Sequence, residues 1–500
     1  MEGETPVSSV FDSQFVSSAL APRRKTVTKI GLVAGGLAAY WPQFPHLLPQ
    51  LEESAAFVRS RFESMSAEVV DVGFISDAEE AALAAETLRI ADPDLVVIFL
   101  TTYLTSSMIL PIAQKVTAPV LIIDLQPSSK MDHDSFGTGE WLAYCGQCSV
   151  PEVGNLFRRA GVAFRSVTGH LREERAWTRI DRWVIAAGVR ARFEGARHGL
   201  LGHLYPGMLD VATDLTRVST TFGSHIEVLE PDDLRVRVEE VTALQTAERR
   251  ELARQIFTID DSVNDEDFDW AAKVSVGLDR LVEDFRLDSL AYYHRGLAGE
   301  IHERLGAGFI LGSSLLTARG IPAAGEYELR NSIAMLISDA IGAGGSFTEI
   351  QGINFDDGVV EMGHDGPAHL AISNEKPVLR GLGIFHGKRG YGVSVEFDVQ
   401  PGPVTTLGLG QEHDGSYVLV ASEGTVVPGP LLRIGNTTSR VDFDCHPGEW
   451  VDAWSSTGVN HHWALSVGHN AATFRAAASL LGVPFREVRG TEVVDRPVLL

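Results

Sequence analysis

The sequence predicts an α/β protein: two doubly wound α/β domains followed by a C-terminal, mostly antiparallel β-barrel domain. Three observations carry that expectation. Short runs of β-branched and aliphatic residues recur at 29–35, 67–72, 94–100 and 119–124, and such runs mark strands buried on both faces of a parallel sheet. Helix-like segments at 51–65 and 77–90 separate them, and strand alternating with helix is the pattern of a doubly wound sheet. Past residue 364 the texture changes. Val393, Val395, Phe397 and Val399 fall on one face of a strand, with Ser394, Glu396 and Asp398 on the other, which reads as half-buried antiparallel β-structure.

Taken in order, residues 1–27 form a polar, mixed stretch, expected as a flexible tail without the apolar core of a signal peptide. Residues 28–175 make the N-terminal α/β domain, 176–323 a central α/β domain, and 324–500 the barrel domain. In the central part, 238–257 and 270–285 carry helical spacing of apolar residues. The acids Asp260, Asp261, Asp265, Glu266 and Asp267 between them read as a solvated loop, since the glycine and terminal glutamate of a calcium loop are missing. In the last domain, Pro401-Gly402-Pro403 is a turn. The stretches 404–410 and 416–422 are further strands, and helical spacing returns at 471–481.

The composition bounds the function. Of 500 residues, 44% are hydrophobic and 22% charged, as in an ordinary globular protein. A net charge of −24 argues against sequence-independent binding to nucleic acid or to an anionic membrane. No run approaches the ~18 apolar residues of a membrane helix. Cys145, Cys148 and Cys445 make no disulfide framework, and Cys145-Gly-Gln-Cys148 lacks the second pair of a zinc site. A reduced, cytoplasmic chain is expected.

After the first strand comes Gly35-Gly36-Leu-Ala-Ala-Tyr40-Trp41-Pro42-Gln43. It is not Gly-x-Gly-x-x-Gly, so a nicotinamide dehydrogenase is disfavoured. Tyr40, Trp41 and Gln43 are candidates for a sugar site, because aromatic rings stack on sugar faces and amides bind hydroxyls. Plain packing of aromatics at a loop is the alternative.

The stretch 324–369 concentrates the chemistry. It places Glu326, Glu349 and His364 among glycines and apolar segments, and Asn460-His461-His462 adds imidazole downstream. Carboxylates with imidazoles suit a divalent metal such as Mn²⁺, Co²⁺, Fe²⁺ or Zn²⁺. The working expectation is one metal held by Glu326, Glu349, His364 and His462. Taken singly, each acid also reads as a solvated residue, and the fixed-spacing motif His-Glu-x-x-His is absent.

The order Ala-Gly-Glu326, Gly-x-Ser-Phe-x-Glu349, Gly-His364 and His461-His462 resembles the L-arabinose isomerase family and the wider arabinose/fucose isomerase-like group. The resemblance implies that Glu326, Glu349, His364 and His462 bind the catalytic metal, and that the two glutamates double as the proton-transfer pair. It implies His461 beside the sugar and Gln147 as a substrate contact. His203 and Met208 become candidates for the substrate-facing wall, with a loop of no such role as the alternative. In the wider group a Tyr-Trp-Pro-Gln-Phe-like segment stands where Tyr40, Trp41 and Gln43 stand here. Glu328, two residues on, would replace Glu326 as ligand if the register differed; Asp365 and His369 are candidates to support the ligands. The implied activity is a metal-dependent aldose–ketose isomerase, an intramolecular oxidoreductase, acting on L-arabinose or a related pentose or hexose. Mn²⁺ is the expected metal, with Co²⁺ or Fe²⁺ as alternatives, and a trimer or hexamer the expected assembly. The neighbours of Gln147 depart from the family pattern. This leaves open the choice of sugar, a sugar epimerase, lyase or hydrolase on the same scaffold, and a non-catalytic sugar-binding homologue.

Overall fold

Unbroken aliphatic runs become the central strands of the first sheet. The computed structural model describes residues 20, 27–65, 67–297, 299–382 and 391–498, so most of the expected tail lies outside the described residues. The chain divides into two units, Thr26–Ala191 and Arg192–Pro497. In the first unit the strands are β1 (Lys29–Gly35), β2 (Glu68–Ile75), β3 (Leu95–Leu100), β4 (Val120–Gln126) and β5 (Phe164–His170). Their order is β2-β1-β3-β4-β5 and every pair is parallel. All six residues of β3 are buried, as a strand covered by helices on both faces must be. The intervening helices include Leu47–Ser64 and Ala78–Ala91. Asp77 starts the latter by accepting from the amides of Glu79 and Glu80 at 2.9 Å, which satisfies donors that a helix start leaves free. The run Val167-Thr-Gly-His170 is the end of β5. As an edge strand it is only partly buried and carries no apolar signature.

The second unit continues with β6 (Arg197–Gly202), β7 (His225–Leu229), β8 (Thr258–Ile259), β9 (Ser289–Tyr293) and β10 (Ala323–Ala324). A second parallel sheet runs β10-β9-β6-β7. Asp265, Glu266 and Asp267 open the helix Asp265–Phe285 rather than sitting in a loop, where acids complement the positive helix end.

The barrel follows, with β11 (Ser346–Asn354), β12 (Val359–His364), β13 (Val378–Gly381), β14 (Val393–Asp398), β15 (Gly402–Gln411), β16 (Tyr417–Val426), β17 (Thr437–Asp442), β18 (Trp463–Val467), β19 (Phe485–Arg489) and β20 (Glu492–Arg496). The order β16-β15-β18-β11-β12-β17 closes on itself through pairing of β16 with β17. Every pair in that ring is antiparallel. Strands β14, β13 and β8 extend it from β17, and β19 and β20 from β16. Closure removes the exposed edges that an open antiparallel sheet would present. Val404, Val420, Val441 and Leu465 pack in one core with Trp450 and Trp454 of the helix Pro447–Ser456. β14 departs from the expected half-burial. Ser394 and Glu396 are buried as well, because Glu396 pairs with Arg380 at 2.8 Å and accepts the Gly435 amide at 2.7 Å. The three cysteines are free, and no helix among the described residues is long and apolar enough to cross a membrane.

One carboxyl in the first unit is out of keeping with its sheet. Asp124, near the end of β4, is 2% exposed and its Oδ2 has no hydrogen-bond partner. Burial pushes its pKa from 3.8 up to about 7. A carboxyl with a raised folded-state pKa favours the folded state below its unfolded pKa. That stability is lost as pH rises through the folded value. Hydrogen-exchange protection factors of β3 and β4, corrected for the intrinsic base-catalysed rate, are therefore expected to fall between about pH 4 and pH 7, with Asp124→Asn abolishing the dependence.

Candidate metal centre

The ligand candidates are delivered by two kinds of strand end. Glu326 follows β10 at the carboxyl edge of the parallel sheet, where such sheets place their ligands. Glu349 lies on β11 opposite Gly363, His364 ends β12, and His462 immediately precedes β18. Because β18, β11 and β12 are consecutive neighbours, residues far apart in sequence meet on one wall. Gly363 is required for this approach: a Cβ there would lie 1.7 Å from the Thr437 carbonyl oxygen. Phe347, two residues before Glu349 and so on the same strand face, packs against both imidazoles. Its ring centroid is 4.5 Å from those of His364 and of His462.

Glu326 and Tyr327 take left-handed conformations, with φ of 58° and 67°. These are uncommon for residues with side chains. The turn is held by hydrogen bonds from the Tyr327 amide to the Tyr292 carbonyl and from the Glu328 amide to the Gly325 carbonyl, both 3.0 Å. It leads directly into the helix Leu329–Ala340, whose first ten residues are all buried.

The resulting donor set is close but unclosed. His462 Nε2 lies 3.4 Å from Glu326 Oε2 and 3.9 Å from Glu349 Oε2. His364 Nε2 is 3.8 Å from Glu349 Oε1. Two triads with metal-ligand spacing share His462: Glu326 with His461 and His462, and Glu349 with His364 and His462. The expected quartet is thus present as two overlapping groups rather than as one, and His461 joins the Glu326 side. Glu326 Oε2 and His462 Nε2 are buried without a hydrogen-bond partner. Buried polar atoms are otherwise almost always paired, and a carboxylate oxygen and an imidazole nitrogen turned toward each other are what a divalent cation accepts. The residues therefore fit a metal ion.

Burial and neighbouring charges set the electrostatics. Burial raises the Glu326 pKa, with Glu349 and Asp365 adding to the effect against His364 and His461. The His462 pKa falls well below the usual imidazole range, through burial and then the neighbouring imidazoles, so His462 is neutral and able to ligate. For His364 burial works downward, but Asp365 at 2.9 Å, with Glu349 and Glu326, brings the net shift upward.

Several groups orient the ligands. Asp210 accepts from the His461 side chain at 2.5 Å and from its amide at 3.2 Å, and its carbonyl accepts from Arg330. Glu328 is wholly buried, 3.8 Å from His462 Nδ1, the ring nitrogen opposite the cluster. It stands behind that ring, outside both triads. Burial, partly offset by Arg330, pushes its pKa to about 7. His369 pairs with Asp339 at 3.1 Å, away from both triads. His203 is exposed and packs edge-on to Tyr293 at 5.3 Å, while Met208 precedes the turn Leu209–Val211 that carries Asp210. Sequence reading singled out neither Asp210 nor Phe347, although Phe347 lies within the quoted Ser-Phe-x-Glu motif.

The remaining candidates belong to the first unit. Trp41 donates to Ser76 at 3.3 Å and packs edge-on to Tyr40 and Phe74. Tyr40 and Trp41 join an aromatic cluster around Leu142 and Tyr144. Gln43 donates to the Ala39 carbonyl, and Gln147 to Gln126 Oε1 at 2.6 Å.

No family model matches the chain. It is similar to the L-arabinose isomerase of Nocardioides sp., at 24% identity over 348 residues, or 66% of this chain and 67% of that protein. It is also similar to the sulfoquinovose isomerase of Alkalicoccus urumqiensis, at 21% identity over 293 residues, or 58% of this chain and 64% of that protein. The resemblance is to sugar isomerases. The second match spans less than two thirds of its relative, and both identities are low.

Groups that orient a metal-binding imidazole typically contribute about 10–100-fold to affinity or activity. Glu328→Gln is expected to weaken Mn²⁺ binding by about that factor, measured by calorimetry on folded protein, with Asp210→Asn acting in the same direction through His461.

Proposed function

We propose that the chain is a metal-dependent aldose–ketose isomerase acting on a free sugar, by proton transfer between C1 and C2 through an enediol. The observation that carries this reading is the pair of carboxylates, Glu326 and Glu349, 3.4 and 3.9 Å from the unpartnered His462 Nε2. The names of the relatives support the isomerase class.

Glu326, Glu349, His364 and His462 would hold the cation, with His461 beside them. A bound divalent cation would supply Lewis-acid stabilisation of the oxygens on C1 and C2 as negative charge develops. The chain's own residues carry the protons. One carboxylate removes the C2 proton of the aldose, the electron pair forms the C1–C2 double bond, and the former carbonyl oxygen on C1 takes up a proton to give the enediol. A proton then passes to C1 while the C2 hydroxyl proton departs, leaving the ketose. Glu349 is 35% exposed and Glu326 20%. The Glu349 side is therefore the open approach for substrate. Burial raises the proton affinity of Glu326, which is the direction a general acid requires. His461, fixed by Asp210, is placed to hydrogen-bond a sugar hydroxyl. Mn²⁺ is the proposed metal, because mixed oxygen and nitrogen donors suit it. The three free cysteines fit a reducing, cytoplasmic compartment.

Metal-stripped protein reconstituted with Mn²⁺ and offered a panel of aldoses is expected to form a ketose. Glu326→Gln and Glu349→Gln should each lower kcat by about 10²–10⁴-fold. Metal binding with no turnover of any free aldose would exclude the reading.

Self-association as a trimer or hexamer is part of the proposal. Light scattering is expected to give three or six times the 54.2 kDa chain mass.

A further inference from the structure

A groove in the second unit takes no part in the chemistry above. It lies beside the helices Ala243–Ile256 and Asp265–Phe285 and has a volume of about 820 Å³, within the range of small-molecule sites. Acids outnumber bases 66 to 42 over the whole chain. In this lining the balance is reversed: Arg250, Arg254, Lys273 and Arg304 face only Glu266 and Asp269.

The cations differ in how far the protein already satisfies them. Arg250 is bound by Asp265 and Asp269, and its guanidinium lies 4.6 Å from the centroid of the Phe268 ring. Arg304 lies 4.9 Å from the Trp270 ring centroid and 3.5 Å from Glu266, and its carbonyl accepts the indole N–H. These two are fixed parts of the wall. Arg254 rests 5.4 Å from the Phe268 ring centroid and reaches only Glu251, on its own helix, at 3.8 Å. Lys273 is half-buried and has no ion pair or hydrogen bond among the described residues. The groove therefore offers one weakly compensated guanidinium and one uncompensated ammonium, beside an indole already held in place.

We infer that this groove binds a small phosphate-bearing anion. A guanidinium presents paired N–H groups that match phosphate oxygens, and an ammonium adds a compact point charge. The pre-positioned aromatic wall lowers the ordering cost of binding, and Trp270 provides a surface for the carbon skeleton of a phosphate ester. The inference is independent of the isomerase reading, because it uses none of the residues of the metal centre.

The test is calorimetric titration of the full-length, metal-stripped protein with inorganic phosphate and with inorganic pyrophosphate, at ionic strength held constant with chloride. Saturable binding is expected. The double variant Arg254→Gln/Lys273→Gln should weaken it at least tenfold while keeping the wild-type melting temperature. Glu326→Gln should leave it unchanged. The inference is overturned if neither probe saturates at fixed ionic strength. It is equally overturned if binding survives the double variant or is lost in Glu326→Gln, which would place the anion at the metal centre. Binding that disappears as protein concentration rises would assign the groove to contact with a second copy of the chain instead.

Discussion

Polar atoms withdrawn from water without an internal partner are the constraint on which this structure turns. Glu326 Oε2 and both ring nitrogens of His462 are buried and unpaired. Each such group costs on the order of 1–3 kcal/mol unless something satisfies it. The left-handed turn at Glu326 and Tyr327 adds a further ~1–3 kcal/mol per residue. A fold retains penalties of this kind only where the surroundings hold them in place. Here the surroundings are a wholly buried helix start, a strand of a closed barrel, and a phenylalanine between two imidazoles. The arrangement makes sense as one whose missing partner is a cation.

The two parts of the second unit divide the work. The parallel sheet provides an edge, so Glu326 arrives where strands end and backbone groups are free to turn. The barrel provides rigidity, so Glu349, His364 and His462 arrive on hydrogen-bonded neighbours with little freedom. The supporting groups come from elsewhere: Asp210 from a loop after β6, and Glu328 from the turn that opens a helix. Glu328 has the chemistry of a ligand and sits two residues from one, but the helix start carries its carboxylate behind His462. The two carboxylates are told apart by which ring nitrogen of His462 each reaches, Glu326 Nε2 and Glu328 Nδ1.

Much of this was legible in the chain itself. The aliphatic runs located β1 to β4, of which β1, β3 and β4 are buried on both faces, while β2 is an edge strand and stays largely uncovered. The change to alternation located the barrel. The Glu326, Glu349, His364 and His462 motifs, far apart in sequence, do converge in space. What was illegible depended on distant contacts. β5 is an edge strand and lacks the apolar signal. The second face of β14 is buried because Arg380 and a backbone amide satisfy Glu396, which no local pattern records. Asp210 acts on a histidine 251 residues away, and nothing around it in sequence distinguishes it from a solvated acid.

The place of β18 in the barrel has a consequence for how the protein comes into being. β18 enters between β11 and β15, strands made long before it during synthesis, and His462 is the residue just ahead of it. Until that strand inserts, the ring is open and the donor shared by both triads is absent. Closing the wall and bringing the shared donor to the candidate centre are thus a single event, which follows the synthesis of every other strand of the ring. A ribosome-bound chain stopped short of this strand would carry Glu326, Glu349 and His364 but would lack the imidazole that links the two triads.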